Sequence, residues 1–172
     1  MVEAIDASDT LIGLAQIASA FAGFAALVSV LGERGNRAEM AHGILRLRVV
    51  ISTSVVVVVA CLVPTGLAHF ELSNRVVWGV SAALLLALNY SVILSFFQSY
   101  QPVKGLFPPD RVAVSLVGAL ELLDQAALVL ILLNIWPNLD FPLYLAALIL
   151  NVCQAAFVFL RFVASEFGAD ET

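Results

Sequence analysis

The sequence predicts an all-α fold, a polytopic membrane bundle of five transmembrane helices, and three observations carry the prediction. First, 62% of the 172 residues are hydrophobic and only 12% charged, with a mean hydropathy of +1.01. That leaves too little polar surface to wrap a water-soluble domain. Second, five apolar runs occupy residues 11–31, 49–70, 76–97, 112–135 and 141–163. Each matches the roughly 20 residues that a helix rising about 1.5 Å per residue needs to cross a bilayer core of about 30 Å. Third, every link between the runs is short, so the chain reads as one transmembrane domain spanning 1–172, arranged as a single helix plus two tandem hairpins. A net charge of −5 and a pI near 4.8 exclude nucleic-acid binding, which needs a basic face to neutralise phosphates.

The first run follows an acidic tail (Glu3, Asp6, Asp9) and repeats small residues every four positions, as Ala15, Ser19, Gly23 and as Ala18, Ala22, Ala26. Small residues at this spacing let a second backbone approach closely, either within the protomer or between subunits. The link at 32–48 carries most of the loop charge, including Arg34, Arg37, His42, Arg46 and Arg48. The second run is valine-rich, is expected to kink at Pro64, which lacks a backbone donor, and ends beside His69. A histidine there reads as a satisfied interfacial residue, with sensing of external pH as the alternative. The turn at 71–75 leads into the third run, which holds Trp78 and Asn89. The fourth holds Glu121, Asp124 and Gln125, and the fifth holds Tyr144, Asn151 and Gln154. Cys61 and Cys153 both lie in apolar runs, as small buried hydrophobes rather than a disulfide.

Orientation follows from the basic residues. With the N-terminus outside and the C-terminus in the cytoplasm of a cell (inner) membrane, Arg34, Arg37, Arg46, Arg48, Lys104, Arg111 and Arg161 lie at the cytoplasmic side and Arg75 alone lies outside. Trp78, Trp136 and Tyr144 then fall at the outer interface and Tyr100 at the inner one, where amphipathic rings anchor. The loop arginines serve topology first and anionic lipid head groups second.

The second and third helices read either as a degenerate copy of the fourth and fifth or as a chance match between apolar segments. Arg48-Val-Val-Ile-Ser52 resembles Arg111-Val-Ala-Val-Ser115, and Asn89 and Asn151 follow at similar intervals. Glu121 sits about 15 Å beyond Arg111, near the midplane, with Asp124 one turn further out on the same face. Gln125, Asn151, Gln154 and Asn89 share that depth, forming a polar belt. Carboxylates at this depth cost a few kcal/mol each unless they take up a proton, face water or bind a cation with amide oxygens. The functional expectation is therefore an oligomeric channel or small transporter for protons or monovalent cations. Glu121, Asp124, Gln125, Asn151, Gln154 and Asn89 would form its pathway, and Val117 and Leu128 its apolar constrictions. The alternative is a non-transporting assembly or signalling subunit whose polar residues hold helices or partners together. No H-E-x-x-H, C-x-x-C, glycine-rich phosphate loop or nucleophile elbow is present, so no enzyme and no cofactor or metal is expected. The expected partners are the lipid bilayer and further copies of the chain.

Overall fold

The computed structural model describes residues 2–31, 37–101 and 110–167. They form an all-α bundle: α1 (Val2–Leu31), α2 (Arg37–Leu67), α3 (Asn74–Tyr100), α4 (Arg111–Leu132) and α5 (Asp140–Phe167), with 3-10 turns at Ala68–Phe70 and Pro137–Leu139. All five helices are long and apolar enough to cross a membrane. Helix is the form such runs must take in lipid, because it bonds every interior peptide group within its own segment.

The helix ends depart from the apolar runs for local reasons. The acidic tail is helical from Val2, so α1 begins well before the apolar run. The link at 32–48 is helical from Arg37 on, since Arg, Ala, Glu, Met and Leu propagate helix well. At the other end of α4, Asn134 adopts a left-handed conformation (φ 56°), and Pro137 starts the next turn. The helix therefore stops at Leu132 rather than 135.

Helices α2 and α5 occupy the centre; α1 packs against both, and α3 and α4 pack against α5 and each other, with α3 also against α2. The common core joins Leu11, Ala15 and Ala18 of α1 to Val57 and Ala60 of α2, Leu85 of α3, Leu128 and Ile131 of α4, and Leu148 of α5. The outside is apolar as well: Phe24, Leu27, Leu122 and Leu160 are each more than half exposed. An exterior of this kind requires lipid as its solvent.

The small residues of α1 divide between these two surfaces. Ala15, Ala18 and Ala25 are buried, whereas Ser19 and Gly23 face outward, and a side chain added at Gly23 would meet nothing within 4 Å. Positions four apart drift about 40° per step around a helix, so the 15, 19, 23 stripe leaves the contact, while the near-heptad set 11, 15, 18, 25 stays on it.

Two aromatic and sulfur expectations also change. Tyr144 is fully buried rather than an interfacial anchor, held beneath Trp78, whose ring centroid lies 5.5 Å away. Its hydroxyl donates to the Ala60 carbonyl at 2.8 Å. Ala60 stands four residues before Pro64, so its carbonyl is the one that the proline deprives of a backbone donor. The Thr65 hydroxyl donates to the next carbonyl, that of Cys61, at 3.1 Å, the i−4 bond that a threonine inside a helix makes. Cys61 is buried as expected, but Cys153 lies on the outer face of α5.

Candidate functional site

The polar residues singled out in the sequence sit on α3, α4 and α5, and specific bonds tie both ends of α4. Helix α4 begins at Asp110, whose Oδ1 caps the backbone N–H of Val112 at 2.9 Å, while Oδ2 meets Arg161 of α5 at 2.5 Å. The Arg161 hydrogen bond and the Val112 bond hold the Asp110 carboxyl below the usual carboxylate range. Its other end is capped from α3: Arg75 donates to the carbonyls of Ile131 and, at 2.7 Å, of Leu132. These are carbonyls of the last helical turn, and the guanidinium also complements the negative end of the dipole. Arg75, the one basic residue that breaks the charge asymmetry in sequence, has a structural task.

Between these ends Asp124 is enclosed completely, at 0% exposure. Asn89 Nδ2 of α3 donates to its Oδ2 at 2.6 Å. From α5, Asn151 lies beside the same carboxyl, and its Nδ2 donates to the Ala147 carbonyl at 3.1 Å. Gln154, a turn further along α5, is buried too. Asp124 Oδ1 and Gln154 Nε2 have no bonding partner among the described residues, and neither do the buried hydroxyls of Ser54 and Ser81.

The structure thus brings Asn89, Asp124 and Asn151 together from α3, α4 and α5, with Gln154 close along α5. The two carboxyls differ in setting rather than in neighbourhood: Asp124 is sealed, while Glu121 lies near enough to act on it electrostatically but is itself only partly covered. Glu121 is half-buried and accepts from Gln125 Nε2 at 2.9 Å, one turn along its own helix. Val117 is half-buried. Leu128 is not placed to constrict a lumen shared by subunits, because it is 0% exposed and closed within the protomer's own core. Its side chain lies on the same inward face as Asp124, and that face is filled by α3 and α5.

Sequence reading missed the Tyr144 and Arg75 bonds and the burial of Asp140. The only signal for Tyr144 was a proline inside an apolar run, which implies a donor from elsewhere without naming it. His69 lies exposed in the 3-10 turn after α2, with Nδ1 2.9 Å from the Thr65 carbonyl. The side chains of His42 and Lys104 lie outside the described residues.

Among the described residues, no three or more His, Cys, Asp or Glu side chains gather as a metal site would require. What the arrangement offers is a sealed carboxyl between amides, a group able to hold helices together and to carry a proton on its second oxygen. Compared with protein-family models, with curated proteins and with solved structures, the chain matches none.

Proposed function

We propose that this protein is a membrane assembly subunit, in which a buried amide–carboxyl lock fixes the register of α3, α4 and α5 and so the apolar outer surface offered to partner helices. The observation that carries this reading is the 2.6 Å bond from Asn89 to an Asp124 with no exposed surface. Apolar helix faces of Val, Leu and Ala pack in several near-equivalent registers in lipid, and one interhelical polar bond, worth about 0.6 and up to about 1.7 kcal/mol, selects among them. The short loops suit the same role. Further copies of the chain are the first candidates for the partner. The orientation that fits the basic residues keeps the N-terminus outside the cell (inner) membrane; cysteine-accessibility labelling at the two termini tests it.

A second reading is favoured by one observation, an Asp124 Oδ1 with no bonding partner among the described residues. A buried carboxyl oxygen without a partner is a place where a proton or monovalent cation could be held, with Glu121 and Gln125 on the half-exposed flank of α4 as the next stage.

Flux across liposomes separates the two. The lock predicts no proton or cation flux from the wild type, a folded D124N that keeps an amide partner for Asn89, and a D124L that unfolds at lower temperature. Flux that disappears in E121Q or D124N establishes the transport reading and overturns the lock as the main function.

A further inference from the structure

Where α2 enters the apolar region, a groove between α2 and α3 is lined by Arg48 and Ser52 on one side and Ser95 and Ser99 on the other. Each pair is spaced i, i+4, so each presents both groups on one face of its helix. Arg48 Nη1 donates to Ser99 Oγ at 3.2 Å across the groove. The rest of the wall is apolar, with Val49 and Phe96 among its residues. We propose that this groove is a binding site for the phosphate of an anionic phospholipid, held by Arg48 and the serine hydroxyls with an acyl chain along the apolar wall.

Three features support this. A guanidinium has five donors in a fork that matches two phosphate oxygens, and the Ser99 bond is made by Nη1, which among the described residues leaves the other donors for an anion. Arg48 is exposed, while the serines beside it are half-buried, so the anion sits over the groove and reaches hydroxyls within it. The groove's open space is about 20 Å³, room for about one water or a single phosphate oxygen. A free ion would therefore be held from one side only. A lipid gains the apolar wall as well, which is why the lipid rather than dissolved phosphate is the ligand. The level is right too: the ion pair of Asp110 with Arg161 marks the same end of the bundle, where head groups lie.

The test is native mass spectrometry of the full chain released from nanodiscs containing equal phosphatidylglycerol and phosphatidylcholine. The wild type is expected to retain phosphatidylglycerol selectively, and R48A to retain about tenfold less, the loss that a charge-assisted fork implies. The S52A/S95A/S99A triple variant keeps the charge and is expected to lose several-fold. R111A removes the same charge at the same end of the bundle and is expected to retain the lipid. Equal retention of both lipids, or equal loss in R48A and R111A, overturns the site in favour of general attraction. Displacement of the lipid by millimolar inorganic phosphate shows a free-phosphate site and overturns the lipid assignment. Helical content by circular dichroism confirms that each variant compared is folded.

Discussion

Replacing Tyr144 by phenylalanine tests whether the α5 hydroxyl repairs the proline turn of α2. The ring is fully buried, so phenylalanine keeps its volume and its contact with Trp78 and removes only the donor to Ala60. Ala60 is 1% exposed, so its carbonyl cannot turn to water or head groups. An unsatisfied buried group of this kind costs about 1–3 kcal/mol. Membrane double-mutant cycles place interhelical bonds nearer 0.6 and at most about 1.7, so a loss of about 1–2 kcal/mol is expected for Y144F. The decisive step is to repeat it in P64A. An alanine at 64 restores a backbone N–H to the Ala60 carbonyl, so the hydroxyl becomes redundant and Y144F costs a few tenths of a kcal/mol. The assay is reversible unfolding in mixed micelles of the four proteins of the cycle. A coupling energy near zero, with Y144F equally costly in both backgrounds, would refute the argument and reduce Tyr144 to a packing residue.

Three further outcomes follow from the helix ends and from α1. Asp110 has a lowered carboxyl pKa in the folded state, so it stabilises the fold above the ordinary carboxylate range and the contribution fades as pH falls through the lowered value; in thermal unfolding, the advantage of wild type over D110N is expected at neutral pH and absent in strong acid. R75A uncovers the carbonyls of Ile131 and Leu132 and is expected to cost about 1–2 kcal/mol, with hydrogen exchange rising in the last turn of α4 and not the first. On α1, A25L overpacks a fully buried position and should lose about 1–3 kcal/mol, whereas G23L, which points into open space, should leave the protomer's stability unchanged; equal damage from both would mean that α1 is turned differently.

How much was legible depended on the range of the interaction. Each membrane-length run was visible because hydropathy is a local sum, and the fourth and fifth runs could be set side by side by depth alone, since a helix rises by a fixed amount per residue. Depth placed Asn89, Asp124 and Asn151 at one level, and they meet there. Angle was harder. Glu121 and Asp124 are three residues apart and were read as one acidic face, yet about 60° of rotation puts Asp124 between α3 and α5 and leaves Glu121 on the flank with Gln125. The stripe of Ala15, Ser19 and Gly23 also drifts off the buried side, so of its two readings the contact within the protomer holds only at Ala15.

What the sequence by itself determined is the solvent and the class of fold: with this many apolar residues in runs of this length, only lipid-facing helices satisfy the backbone. The tertiary structure decided which groups are partners. Asn89 to Asp124, Tyr144 to Ala60, Arg75 to the end of α4 and Arg161 to Asp110 join residues 35 to 84 positions apart. Such bonds depend on the rotation and crossing of whole helices, and nearly uniform apolar faces leave that rotation unspecified until the few polar side chains find one another.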